Sequence, residues 1–468
     1  MSDAIAFLSA EQLRRRYATG ELDPVLVLET VLARAERLEG SLNAFRALDD
    51  TEAHRAAAAS AARWRQGRPL GRLDGIPISI KDIVAMRGMA TRSGSLTTDP
   101  DAIAEEDCPA VARLREAGAI LFGKTHTSEF GWKGITDTPL HGASRNPWHP
   151  DHSPGGSSGG AGAAVAAGIG PLAHGTDAGG SVRIPSSYCG LFGIKPTFGR
   201  VPHTPNESPY CTLSSTGPLA RTVQDAARML TVISQPDARD WYAAAPQGID
   251  FELGLDRGIR GMRIAYSPAL GGTQADPQVL QLVEAAVGKL EALGAVVETV
   301  GPVFDPLRPV FEDYWKAGFA YLLKGIPEDR RHLMDPGLRT IGEEGLHVDL
   351  DTYYAAMVAR ARLGARMERF HQQYDLLVTP TMPTTAPRAD VVYHSPEFDR
   401  WNHAVPYTVP FNLTGQPAAS IPVGLASNGL PVGMQLVAAR FQEARILRAA
   451  RAFEQMAPFT MTPPAATG

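Results

Sequence analysis

Ser153–Pro196 reads SPGGSSGGAGAAVAAGIGPLAHGTDAGGSVRIPSSYCGLFGIKP and holds two glycine-flanked serines, Ser157 in GGSSGG and Ser181 in DAGGSVR. An Ala/Val/Gly segment of helical length separates them, and no charged residue falls between Pro154 and Gly175. A stretch so poor in charge must be covered by other chain, yet its glycines and hydroxyls make a weak core by themselves. It reads as the centre of a site around which the rest of the chain is arranged.

The two serines differ in their surroundings. GGSSGG matches GxSxG with Ser157 central, but a nucleophile elbow needs an apolar strand just upstream, and Arg145 to Pro154 supplies none. A flexible Gly/Ser linker would not run straight into an uncharged helix such as Gly159 to Ala167. Ser181 follows Asp177-Ala-Gly-Gly180, where two adjacent glycines let the backbone N–H groups of Ala178, Gly179, Gly180 and Ser181 converge on one point. Such a nest suits the oxyanion formed when Ser181 attacks a carbonyl, each well-placed donor contributing roughly 3 to 4 kcal/mol. A serine so placed is inert without a base.

A candidate base lies upstream, where Leu73-Asp-Gly-Ile-Pro-Ile-Ser-Ile-Lys-Asp82 sets an apolar strand directly against Lys81. An ammonium at the end of a buried strand loses solvation, which favours its neutral, proton-accepting form. Gly118-Ala-Ile-Leu-Phe-Gly-Lys-Thr125 matches the phosphate-binding pattern GxxxxGK[ST]. Its context is wrong, because Asp107 is expected to cap a helix running to about Ala117 and Ala119 to Phe122 are themselves a strand.

Along the rest of the chain, Ser9-Ala-Glu-Gln12 is a capping box and Asp23-Pro24 an N-cap with proline at the first helical position. A third, alanine-rich helix follows Thr51, so the N-terminal helices span 9–65, and the core around the serines spans about 70–235. Strands are expected at Asn43–Leu48, Met262–Tyr266, Val296–Val300, Leu376–Thr379, Ala418–Val423 and Val432–Val437, and long helices at Ala275–Leu293 and Thr352–Gln373. Residues 198–218 read as a loop. Residues 302–350, with many prolines, charges and aromatics, read as an irregular insertion that forms a wall of the substrate pocket. Alternating helices and short apolar strands argue for one large α/β domain over residues 1–468, with a mixed central sheet covered by helices on both faces.

The chain has 468 residues, 44% hydrophobic and 20% charged, which is ordinary globular usage. A formal net charge of −5 leaves no electrostatic footprint for nucleic acid or an anionic membrane. Cys108, Cys189 and Cys211 are too scattered for a disulfide framework or a zinc site and fit a reducing compartment. No basic segment followed by an apolar run opens the sequence, and no apolar stretch reaches ~18 residues, so a cytoplasmic protein without membrane contact is expected.

Together these motifs resemble the amidase signature enzymes. The stretch from Gly155 to Arg200 follows that family's signature almost position by position, and GIPISIKD, GKTHTSEFGW, RNPWHP, FNLTGQPAASIPVG and LPVGMQLV match further blocks. The likeness covers about residues 7–455. It implies a serine nucleophile activated by a second serine, joined to its neighbour through a cis peptide, and by a lysine, with the serines 24 positions apart as Ser157 and Ser181 are here. Carried over, Ser181 is the nucleophile, Ser157 the proton relay and Lys81 the base, with no metal or organic cofactor. Thr127 stands where the family places a main-chain contact to nucleophile or substrate, and Tyr210 is a candidate substrate contact together with Trp132, Phe319 and Trp401. Asp177 and Arg183 are expected to pair and hold the loop, and His174 to be structural.

The activity implied is hydrolysis of a small-molecule carboxamide, with a carbamate or urea-type C–N bond as the alternative. A third reading is the glutaminase subunit of a tRNA-dependent amidotransferase. The family's glutaminase subunits carry an acid three positions before the threonine of their late DxxTxPxNLAG block, where this chain has Val405. A homodimer is left open as the assembly.

Overall fold

The computed structural model describes residues 2–203, 209–245, 247–391 and 401–466. Its strands are β1 (Phe45–Leu48), β2 (Pro77–Lys81), β3 (Ile120–Thr125), β4 (Asp137–Thr138), β5 (Gly142–Ala143), β6 (Leu172–Asp177) and β7 (Phe192–Lys195). They continue with β8 (Ser215–Ala220), β9 (Arg263–Tyr266), β10 (Val296–Thr299), β11 (Leu376–Pro380), β12 (Ala418–Leu425) and β13 (Pro431–Val437). Eleven of them form one sheet in the order β1-β3-β2-β6-β8-β7-β12-β13-β11-β9-β10, while β4 and β5 make a separate hairpin. The sheet is mixed: β3, β2 and β6 run parallel, the middle is antiparallel from β6 through β11, and β11, β9 and β10 are parallel again.

Both faces of the sheet are buried, as the side-chain alternation shows. In β3, Leu121 joins the main core while Ile120 and Phe122 join a second one with the helices Pro24–Leu42 and Asp50–Arg65. In β6, Leu172 faces the main core and Ala173 a third cluster beneath the helix Gly159–Ala166. That helix is buried along its whole length, which is why it carries no charge. The expected α/β class with a large mixed sheet is the observed one.

The N-terminal caps form as their chemistry requires. Ser9 and Gln12 make the reciprocal capping box, and Asp23 accepts from Val25 N–H with Pro24 at the first helical position. Asp107 differs from expectation. The helix Pro109–Glu116 is capped by Cys108 without a side-chain bond, and Asp107 instead takes the Arg87 N–H and pairs with Arg115.

The segment 302–350 is a second correction, since it is helical rather than irregular. Helices span Arg308–Gly325 and Pro336–Gly345, with a 3-10 stretch Glu328–Leu333 between them. Pro309 and Pro336 sit in the first turns, where the missing N–H costs nothing, so here proline marks helix starts rather than breaks. Phe311, Trp315, Phe319 and Leu323 recur every four residues along the first helix and are all buried. No helix among the described residues is long and apolar enough to cross a membrane.

Candidate active site

The parallel strands β2 and β6 end side by side, and ligand sites of open α/β sheets form at such carboxyl ends. Lys81 closes β2, Thr176 and Asp177 close β6, and Ser157 lies in the turn entering the helix Gly159–Ala166. Lys81 is fully buried; its Nζ lies 2.7 Å from Ser157 Oγ and 2.9 Å from Thr176 Oγ1. Burial lowers its pKa to about 7, partly opposed by the charge of Asp177. A neutral amine can donate to Thr176 while its lone pair accepts from Ser157. The Gly156–Ser157 bond is cis.

Ser181 follows on the loop after β6. Ser158 N–H donates to Ser181 O at 3.3 Å, which ties the two serine turns together. No hydrogen bond joins Ser181 Oγ to Ser157 Oγ among the described residues. Asp177 organises the loop: it accepts from the N–H groups of Gly180, Val182 and Arg183, and forms a two-point ion pair with the Arg183 guanidinium. Burial opposes ionisation of Asp177, but Arg183 holds its carboxyl well below the usual carboxylate range. The expected pairing of these two residues is therefore present, reinforced by Asn412 on Asp177 and by Gln435 on Arg183.

This geometry corrects one residue of the expected oxyanion nest. Gly180 N–H points at Asp177 Oδ1, 2.8 Å away, and is already satisfied. The N–H groups of Ala178, Gly179 and Ser181 have no acceptor among the described residues. Thr408, which sequence reading passed over, donates to Gly179 O at 2.7 Å and fixes the tilt of that peptide.

An aromatic cover lies over the loop. A β-carbon on Gly179 would meet the Trp401 ring at 3.1 Å, Phe311 at 3.3 Å and Trp315 at 3.8 Å. Trp315 packs against Phe311 and Tyr210, each at a centroid distance of 4.8 Å, and against Trp401 at 5.2 Å. The indole N–H groups of Trp315 and Trp401 are buried and have no hydrogen-bond partner among the described residues. Tyr210 donates its hydroxyl to Phe130 O and comes near Ser157, because a β-carbon on Gly131 would sit 3.1 Å from both Tyr210 Oη and Ser157 Oγ. Phe319, from the helix Arg308–Gly325, packs on Tyr210 at a centroid distance of 5.5 Å. Of the loop expected at 198–218, residues 204–208 lie outside the described residues, and its end, from Ser215, belongs to β8.

Four other residues singled out in the sequence are buried. Thr127 is buried two residues past β3, with its hydroxyl donating to Ser128 O. Trp132 is buried beneath Lys133. Lys124, the lysine of the phosphate-loop pattern, ends within β3 and pairs with Asp82 at 2.9 Å, which removes it from any phosphate role. His174 is fully buried, and burial lowers its pKa to about 3, so it stays a neutral core residue.

A serine turn, a desolvated lysine and backbone N–H groups without an acceptor among the described residues meet at the ends of parallel strands. The chain belongs to the amidase family, whose model matches residues 26–447, and it is an amide C–N hydrolase. It is 34% identical to the acylamidase of Rhodococcus erythropolis over 98% of this chain and 97% of that one. It is also 34% identical to a glutamyl-tRNA(Gln) amidotransferase subunit from Symbiobacterium thermophilum, over 98% of this chain and 99% of that one. Among solved structures it superposes on a bacterial aryl acylamidase of the amidase signature family with a TM-score of 0.91, at 27% identity over 99% of both chains. A 6-aminohexanoate cyclic dimer hydrolase gives 0.88, at 28% identity over 98% of this chain and 99% of that chain.

Proposed function

We propose that the protein hydrolyses aryl amides of the anilide type through an acyl-enzyme on Ser181. The observation that carries the chemistry is the 2.7 Å contact between fully buried Lys81 and Ser157. Ser181 Oγ attacks the carbonyl carbon while its proton passes to Ser157 Oγ and the Ser157 proton passes to Lys81 Nζ. The oxyanion is received by the N–H groups of Ala178, Gly179 and Ser181. Lys81 returns the proton through Ser157 to the leaving nitrogen, the C–N bond breaks, and water hydrolyses the ester by the same route.

The substrate side of the reading rests on the cover. Rings of Phe311, Trp315, Trp401 and Tyr210 favour a flat apolar group beside the scissile carbonyl. The two unpartnered indole donors favour a substrate that brings its own acceptor. The likeness to an acylamidase and to an aryl acylamidase supports the same class.

A glutaminase reading draws on the amidotransferase relatives, but buried Val405 offers no charge for an amino group. A carbamate or urea substrate would use the same acyl-transfer steps. Turnover of anilides, aliphatic amides, aryl carbamates and glutamine, beside Ser181→Ala, tests the reading. Anilides should turn over fastest and Ser181→Ala should lose at least about 1,000-fold. Undiminished turnover by that variant would overturn the mechanism, and a preference for glutamine would overturn the substrate class.

A further inference from the structure

Glu129, Lys133, Asp137 and Asp335 form a charged cluster that the chemistry above does not use. Lys133 Nζ lies 2.7 Å from Asp137 Oδ1 and 2.8 Å from Asp335 Oδ2, and its side chain is only 5% exposed. Glu129 is fully buried, accepting from Ser95 Oγ and from Asp335 N–H, both at 2.5 Å. Asp335 Oδ1 in turn caps the helix Pro336–Gly345 by accepting from Gly337 N–H at 2.9 Å. Removing charges from water is costly, and an apolar cluster of similar volume would often be as stable or more so.

What the cluster joins gives it a purpose. Its first three members lie in the segment 129–137, which walls the relay turn. Gly131 abuts Ser157 Oγ, and a β-carbon on Gly156 would meet the Ile135 backbone at 2.5 Å. Thr136 Oγ1 donates to Gly155 O at 2.9 Å and accepts from Gly159 N–H at 3.1 Å, bracketing the turn from both ends. The fourth member, Asp335, belongs to the insertion. Its helix packs on Arg308–Gly325, where a β-carbon on Gly342 would meet Leu323 at 3.1 Å. That neighbouring helix carries Phe311, Trp315 and Phe319 of the aromatic cover.

We infer that Lys133, bridging Asp137 and Asp335, is a positioning residue that locks the Ser157 turn to the substrate cover. The inference rests on Ser157 acting as the relay. Lys133 touches neither substrate nor reacting atoms; it acts by holding the segment 129–137 against Ser157 while anchoring the cover to the same point. One ion-pair node then sets both relay geometry and cover placement.

The test is steady-state kinetics with an anilide across pH 5.5 to about 9.5, on wild type, Lys133→Met, Lys133→Arg, Asp335→Asn and Ser181→Ala, with folding checked by circular dichroism and thermal melting. A loosened relay turn should lower kcat of Lys133→Met by about 10- to 100-fold, the loss a misplacement of about 1 Å produces. The midpoint of its kcat profile should move to higher pH, because water entering beside Lys81 stabilises the ammonium. Lys133→Arg should recover most of kcat. Asp335→Asn, which keeps the helix cap, should show the same changes in smaller degree, and it decides the matter if Lys133→Met does not fold. A folded Lys133→Met, or failing it Asp335→Asn, with wild-type kcat and an unmoved midpoint would overturn the inference, as would a loss confined to KM. If Ser181→Ala itself turned over, the underlying mechanism would fall instead.

Discussion

Lys81 and Lys124 sit at the ends of neighbouring parallel strands, both fully buried, yet they meet different partners. Lys124 is held by the Asp82 carboxylate, whereas the hydrogen bonds of Lys81 Nζ among the described residues go to the hydroxyls of Ser157 and Thr176. Hydroxyls do not offset the lost hydration of an ammonium as a carboxylate does, so burial outweighs the charge of Asp177 and lowers the Lys81 pKa from 10.5 to about 7. The sign for stability follows. Between pH 7 and 10.5 the unfolded chain binds a proton at this lysine that the folded chain does not, so folding becomes more favourable as pH rises through that window. The melting temperature of wild type relative to Lys81→Met should therefore climb from pH 7 to 10; a difference that stays level would mean that Lys81 is not held neutral. At this scale the sequence was informative, because an apolar run ending in lysine and a glycine-flanked serine announce desolvation and a backbone nest. The turning of Gly180 N–H to Asp177 was not legible, since it depends on side-chain direction within the loop.

Among the elements, strands rich in Val, Ile and Leu were legible and three others were not. β6 (LAHGTD), β7 (FGIK) and β8 (STGPLA) form the middle of the sheet but lack the β-branched density that marks a strand. Their small residues are there because helices Gly159–Ala166 and Arg183–Cys189 press on them closely. The insertion was misread for the opposite reason, its prolines drawing attention away from a four-residue aromatic period. The wall beside Ser157 was legible only in part: the block GKTHTSEFGW reaches Gly131, but the placement of Ile135 and Thr136 around the Ser157 turn depends on the fold. Gly131 has φ of +76°, and any side chain there meets Ser157 Oγ and Tyr210 Oη at 3.1 Å. Gly131→Ala should cost about 1 to 2 kcal/mol of stability from backbone conformation alone and lower kcat more than that loss explains. Denaturant unfolding and kinetics on the same sample check this, and an unchanged kcat would show that the wall does not bear on the relay.

Across the whole molecule, one sheet carries Lys81 on β2, the Ser181 loop after β6 and, on β13, Gln435 bracing Arg183, while Asn412, in the short helix Pro410–Leu413 before β12, braces Asp177. Phe311, Trp315 and Phe319 of the aromatic cover come from a helical insertion between β10 and β11, whereas Tyr210 precedes β8 and Trp401 follows β11. The serine–lysine cluster and most of the aromatic cover thus come from different parts of the chain, so the signature carries the reaction class more sharply than the substrate. The central claim is that Ser181, activated through Ser157 by Lys81, is the residue acylated. It is tested most directly by intact and peptide mass spectrometry after reaction with an aryl phosphonate ester that traps serine nucleophiles. The account predicts a single adduct on Ser181, formed faster as pH rises through about 7, absent in Ser181→Ala and slowed at least about 100-fold in Ser157→Ala. An adduct on Ser157, or one that forms at the wild-type rate in Lys81→Met, would contradict it.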